Sequence, residues 1–190
     1  MHCVGRRPPA QAHARLVNHP VDALTPEALG ALALPAIFDV YIALGTTIKV
    51  AGSQAAFRAI DFDAVVAVVS AGRSSGAINL GVVSAMGASS GSAVFYNRVK
   101  GDMEAAVSEL GYACTVIARP ALIVGDRASL KQADRIGEGL ALTVMRCLAP
   151  VTPANYRAIK AEQIARALHA QVKSGKSGVQ VLLSGALQKF

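Results

Sequence analysis

Cysteine and histidine are scarce, and neither is spaced for cooperation. Cys3, Cys114 and Cys147 are odd in number, far apart and outside any C-x-x-C spacing, which speaks against both a disulfide framework and a zinc site. They are expected to be reduced and structural. His2, His13, His19 and His169 form no H-E-x-x-H pattern, so metal catalysis is not expected either. Long apolar runs are missing as well. The longest, Ala28 to Phe38, is broken by Gly30 and Pro35 and closed by Asp39, well short of the ~18 residues that cross a bilayer. Met1 to Ala14 contains Arg6, Arg7, Pro8 and Pro9 but no apolar h-region. Neither a membrane span nor a secretory signal is therefore read, and a cytosolic location is expected. Aromatic residues make up only 5% of the chain and do not interleave with its scattered lysines and arginines. The net charge of +7 could attract any anionic partner, but that pattern argues against a nucleic-acid module.

What is present is hydrophobic sequence in short pieces. At 190 residues and 53% hydrophobic content, the chain can bury one substantial core, and a single domain is expected. Phe38 to Ala43, Ile78 to Ser84, Thr115 to Arg119 and Val179 to Leu183 are short runs suited to buried parallel strands. Between them lie helical stretches. Ser53 is placed to cap a helix running to about Ser70, with Phe57, Ile60, Ala64, Val65 and Val68 near the helical period. A second helix, about Phe95 to Leu110, puts Val99, Met103, Ala106 and Val107 on one face and Lys100, Asp102 and Glu104 off it, and Gly111 ends it as a C-terminal cap would. Further helices are expected at about Arg135 to Leu148 and Ala161 to Val172. Alternation of this kind predicts an α/β protein with an open, Rossmann-like doubly wound parallel sheet.

In such a sheet ligands bind beyond the carboxyl ends of the strands. Gly45-Thr46-Thr47, Ser84 and Arg119-Pro120 stand at those ends. Tyr96 follows twelve residues after Ser84, and Lys100 four residues later, which places phenol and ammonium on one helical face. Moving a tyrosine from its usual ~10 to about 7 takes roughly 4 kcal/mol, which an ammonium ~4 Å away at an effective dielectric of ~20 supplies. Tyr96 is thus the candidate general acid/base, Lys100 its activator and a holder of a ribose hydroxyl, and Ser84 a hydrogen-bond donor to a substrate carbonyl. A second Tyr-x-x-x-Lys, Tyr156 to Lys160, follows Pro150 and Pro153 rather than a strand-terminal serine and is read as structural. Gly175-Lys176-Ser177 imitates the tail of a P-loop but follows a helix and lacks the first glycine.

The runs Val82-Val83-Ser84-Ala85-Met86-Gly87-Ala88, Phe95-Tyr96-Asn97-Arg98-Val99-Lys100-Gly101 and Ala118-Arg119-Pro120-Ala121-Leu122-Ile123-Val124-Gly125-Asp126-Arg127, together with Ala43-Leu44-Gly45-Thr46-Thr47, Ala51-Gly52-Ser53 and Tyr156-Arg157, resemble atypical short-chain dehydrogenases/reductases. Among these the pattern is most similar to the Tat-interacting-protein-like oxidoreductases and their bacterial relatives. The resemblance implies an NADP(H)-binding Rossmann protein with Ser84, Tyr96 and Lys100 as the active triad. It places Leu44 and Gly45 beside the adenine side of the cofactor and Pro120 and Ala121 near the nicotinamide. Arg6 and Arg7 would read the 2′-phosphate, in line with the preference of arginine there for NADP, and Arg127 is a further candidate for a phosphate contact.

One part of that pattern is not in the sequence. The first strand, the G-x-x-G-x-x-G turn that holds the pyrophosphate at a helix N-terminus, and the first helix have no counterpart, because Met1 to Arg7 matches the family's second strand. The expectation is an N-terminally truncated sheet, with a gap where the central strand stands unless the remaining strands re-pair. The residues thus suggest an oxidoreductase moving hydride between NADP(H) and a small carbonyl or alcohol, or a sugar-nucleotide epimerase using the same groups. The alternative is a non-catalytic NADP(H)-sensing or protein-interaction scaffold.

Overall fold

A computed structural model describes residues 1–9, 12–124 and 153–190. Strands β3 (Asp39–Ile42), β4 (Asn79–Val83), β5 (Cys114–Arg119) and β8 (Gly178–Leu183) form a four-stranded sheet in that order. All its ladders are parallel, with Val40 opposite Leu80, Leu80 opposite Thr115 and Thr115 opposite Val179. Two short strands between β5 and β8 in sequence, β6 (Ile123–Val124) and β7 (Ile159–Lys160), pair in parallel with each other instead. The four apolar runs expected to be strands are the strands of this sheet. They are short and rich in β-branched residues; the central strands β4 and β5 are buried on both faces, whereas edge strand β8 leaves Val179, Val181 and Leu183 exposed.

Period-two alternation sorts their side chains into two layers. Val40, Ile42, Leu80, Val82 and Ile117 pack on one face against Val65 and Val69 of α4 (Ala64–Ser74) and Met103 and Val107 of α5 (Phe95–Ser108). Cys114, Val116 and Ala118 face the other way, onto Ile164, Ala167, Leu168 and Val172 of α6 (Ala161–Lys173). Tyr112 closes the first layer. Its hydroxyl donates to the Val69 carbonyl at 2.7 Å, and burial pushes the phenol up to about 12.

Local signals set most helix ends. Ser53 accepts from the Ala56 amide at 3.0 Å at the start of α3 (Gln54–Arg58), as an N-cap serine does. Gly111 follows α5 with φ +72°, a left-handed conformation that ends a helix without strain only at glycine or asparagine. Shorter helices precede them, α1 (Pro26–Gly30) and α2 (Ile48–Ala51), with Thr25 and Thr47 as their caps, and α7 (Ser184–Leu187) follows β8. Between α3 and α4 the helix is not regular: Ala59–Asp63 forms a π turn.

Among the described residues the strands form three separate sheets. β1 (His2–Gly5) and β2 (Val17–Pro20) pair in parallel with each other, and among the described residues no ladder joins β1 to β3. Among the described residues β1 and β2 thus stand apart from the four-stranded sheet. The helix expected at Arg135 to Leu148, Cys147 and Arg127 all lie outside the described residues.

Two residues are corrected. Lys100 and Glu104 were expected off the buried face of α5, yet both are buried, 4% and 6% exposed. Helical periodicity counts apolar side chains, and these two are buried by partners from elsewhere: Asp61 stands against Lys100, and Arg119 forks onto Glu104.

Candidate active site

The carboxyl ends of β3, β4 and β5 meet the N-terminal half of α5. Ser84 directly follows β4, and its backbone is fixed by donation from its amide to the Ala118 carbonyl at 2.8 Å, while the Met86 amide donates to the Pro120 carbonyl at 3.0 Å. These bonds hold the Ser84 and Pro120 segments side by side. Pro120 is buried and Ala121 half-buried. The Ser84 side chain is 5% exposed, and its hydroxyl has no hydrogen-bond partner among the described residues. A buried hydroxyl left unpaired costs free energy, so this atom calls for a partner that the described residues do not supply.

Tyr96 is the second residue of α5 and half-buried. Its ring packs on Phe57, with centroids 5.4 Å apart and planes at 42°. One turn further along both helices Lys100 Nζ lies 2.7 Å from Asp61 Oδ1, with side-chain exposures of 5% and 0%. The two helices thus face each other in two rungs, Phe57 with Tyr96 and Asp61 with Lys100. The other carboxylate oxygen of Asp61 accepts from the Thr46 amide at 2.8 Å. That contact ties the loop after β3 to the pair. Gly45 lies directly over it: a Cβ there would be 3.1 Å from Asp61 Oδ1 and 3.6 Å from Lys100 Nζ. Leu44, half-buried, packs on the first core layer.

The loop from Gly87 to Val94 crosses α5 at Gly101. The Ser89 amide donates to the Asn97 carbonyl at 3.0 Å, and a Cβ at position 101 would fall 2.2 Å from the Ser89 carbonyl carbon and the Ser90 nitrogen. Gly101→Ala is therefore expected to force backbone apart and destabilise the protein by ~1–3 kcal/mol or more. A thermal melt unchanged from wild type would mean that the loop does not sit on the helix.

Of the other sequence candidates, Arg119 is committed to Glu104, with Nε 3.0 and 3.2 Å from the two carboxylate oxygens. This fork keeps the guanidinium charged, above its ordinary range. Arg6 and Arg7 are exposed immediately past β1, and no hydrogen bond or ion pair ties them to the Asp61–Lys100 cluster among the described residues. Tyr156 and Lys160 fall on different elements, a 3-10 turn at Ala154–Tyr156 and strand β7, so they share no helical face.

Similar folds recur among solved structures. A short-chain dehydrogenase family protein from Francisella tularensis superposes with a TM-score of 0.68 at 10% identity over 98% of this chain and 87% of that one. The enzyme WbmG of Bordetella bronchiseptica, solved with NAD, gives 0.66 at 12% identity over 99% and 66%. RMD from Pseudomonas aeruginosa, solved with NADPH, gives 0.60 at 17% over 93% and 72%. The chain has a Rossmann-like α/β fold. In sequence, no protein-family model matches. Curated relatives do: the mitochondrial protein FMP52 of Candida albicans is 36% identical over 107 residues, 56% of this chain and 45% of that protein, and fmp52 of Emericella nidulans 37% over 103 residues, 54% and 43%. The chain spans less than half the length of these relatives. These relatives carry the FMP52 name and not the Tat-interacting-protein name that the sequence motifs suggested.

The expectation of a cytosolic location is overturned by the same relatives, which are named as mitochondrial. The features used for it, a missing apolar h-region and a missing membrane span, bear on the secretory route. Import into mitochondria relies on amphipathic, arginine-rich segments that neither test detects.

Asp61 is the residue of this site that motif reading missed. Its signal was in the sequence: Phe57, Asp61, Val65 and Val69 recur every four residues, and all four are at most 1% exposed. An acidic residue inside an otherwise apolar stripe requires a buried partner.

Proposed function

We propose that the chain carries the catalytic half of an NADP(H)-dependent oxidoreductase of the short-chain type, acting on a small carbonyl or alcohol in the mitochondrion. The observation that carries this reading is a buried, charge-paired Lys100 one helical turn beyond Tyr96, at the end of the sheet where the Ser84 hydroxyl is also buried and unpartnered.

The residues present suit the nicotinamide–ribose half of a dinucleotide. Lys100 offers an ammonium to ribose hydroxyls, Pro120 and Ala121 offer an apolar wall, and Gly45 leaves the approach to Lys100 free of a side chain. Leu44 and Gly45 are read, as the resemblance implies, as flanking the adenine side of the cofactor. A pyrophosphate cradle of the G-x-x-G-x-x-G kind is not in the sequence. When bound, the dinucleotide supplies or takes the hydride. Tyr96 gives its phenolic proton to the carbonyl oxygen in reduction and takes it back from the alcohol in oxidation. Ser84 donates a hydrogen bond to the same oxygen, where negative charge develops. Arg6 and Arg7 are assigned to the 2′-phosphate, with Arg127 as a further phosphate contact.

Calorimetric titration with NADPH and, separately, NADH tests the reading before any substrate is known. Binding with NADPH preferred is the expected result. No binding of either would sink the dinucleotide assignment. The second reading is a cofactor-sensing scaffold without turnover; NADPH bound but never consumed across a panel of carbonyls would select it. A nucleotide-sugar substrate is a variant of the first reading, supported by the UDP-glucose complexes of the similarly folded MoeE5.

A further inference from the structure

We propose that Asp61 is the positioning residue of this site, a counter-ion that fixes the Lys100 ammonium and sets how much of its positive field reaches Tyr96. The inference rests on the reading of Tyr96 and Lys100 given above.

The backbone around Asp61 is the first reason. On a regular α-helix an i, i+4 repeat drifts by about 40° per step, so Phe57, Asp61, Val65 and Val69 would turn about 120° around the axis and could not all face one neighbour. The π turn at Ala59–Asp63 takes up extra backbone between them, and all four are buried. π turns are rare and concentrate at functional sites. Here the irregularity keeps a carboxylate inside a face that packing alone would fill with an apolar side chain.

The second reason is the pair itself. Buried ion pairs contribute little to stability compared with apolar residues of similar volume, so a wholly structural role does not account for one at this depth. Asp61 is held from the other side by the Thr46 amide at 2.8 Å. Its Oδ1 meets Lys100 Nζ at 2.7 Å without accepting a well-formed hydrogen bond, which makes the contact one of charge. The pair is buried on both sides, with side-chain exposures of 5% for Lys100 and 0% for Asp61. Gly45 keeps any side chain from covering the pair.

The other ionised groups within a turn of these rungs are committed elsewhere. Arg58 on α3 pairs with Asp102 on α5 at 3.1 Å and lies over the Phe62 ring. Arg98 on α5 donates to the Ser92 carbonyl at 2.7 Å. Asp63, at the end of the π turn, is exposed. One turn beyond Lys100 on α5, Glu104 is neutralised by Arg119, and among the described residues Asp61 and Lys100 are the buried ion pair one turn from the phenol.

Asp61→Asn keeps an oxygen for the Thr46 amide and removes the charge. With Lys100 no longer offset, the Tyr96 phenolate is expected to form about one pH unit lower than in wild type. The measurement is ultraviolet titration of tyrosinate in wild type and Asp61→Asn, each repeated in a Tyr96→Phe background so that the difference isolates Tyr96; neither cofactor nor substrate is required. Asp61→Glu, which retains the charge, should titrate close to wild type. A folded Asp61→Asn with an unmoved Tyr96 titration overturns the proposal. If that variant does not fold, the wild type decides by nitrogen-detected NMR of lysine side chains: a Lys100 ammonium protected from solvent exchange supports the pairing, and one exchanging as fast as the exposed lysines overturns it. A shifted titration in a protein that turns over no carbonyl would leave Asp61 in its role and remove the oxidoreductase reading instead.

Discussion

Tyr96→Phe is expected to lower carbonyl turnover with NADPH by about 10²- to 10⁴-fold while leaving NADPH affinity nearly intact. The substitution is conservative where the structure needs it to be. The ring that packs on Phe57 at 5.4 Å is retained, and only the hydroxyl is lost. The expected loss corresponds to about 3–5 kcal/mol of transition-state stabilisation, at roughly 1.4 kcal/mol per tenfold. This is comparable to the roughly 4 kcal/mol needed to bring a tyrosine from ~10 to about 7. Lysine alone would provide most of that, but Asp61 lies 2.7 Å from the same ammonium, so the net field at the phenol is weaker than the Tyr-x-x-x-Lys spacing suggests. Steady-state kinetics beside a cofactor titration separate the outcomes. Full activity removes Tyr96 as acid/base, and joint loss of turnover and NADPH binding would make it a cofactor-positioning ring.

Lys100→Met is expected to cost about 3–5 kcal/mol of stability, or ~6–20 °C in melting temperature for a chain of this size. Methionine fills much the same volume, so the loss is not one of packing. It comes from Asp61, which has no exposed surface and would keep only the Thr46 amide as partner. The double variant Lys100→Met/Asp61→Leu should recover most of the loss, because both buried charges go together. Thermal unfolding followed by circular dichroism measures all three proteins. A single variant as stable as wild type would mean that water reaches the pair, and would weaken both the buried site and the role given to Asp61.

Where information was local, the sequence was legible. Asp39–Ile42, Asn79–Val83, Cys114–Arg119 and Gly178–Leu183 are short apolar runs with turn residues around them, and each is a strand. Ser53 caps and Gly111 terminates through atoms within a few residues of each. The placing of Tyr96 and Lys100 one turn apart on α5 follows from the period of the helix alone.

What the sequence could not show depended on residues far apart in the chain. Lys100 and Glu104 read as solvated because charge on a helix usually faces water; Asp61 and Arg119, brought by other elements, bury them. The separation of β1 and β2 from the four-stranded sheet is likewise a matter of which strands find one another, since β1 and β2 pair locally while nothing in their own residues tells whether a ladder will reach β3. The mitochondrial association of the relatives lies outside both, because an address is read by import machinery and leaves no trace in how a core packs. By itself, the sequence determined an α/β protein with a tyrosine and a lysine on one helical face. Only the tertiary structure decided that the lysine is buried against a carboxylate, because the cost of burying a charge is met by groups that the fold, and not the local chain, brings within reach.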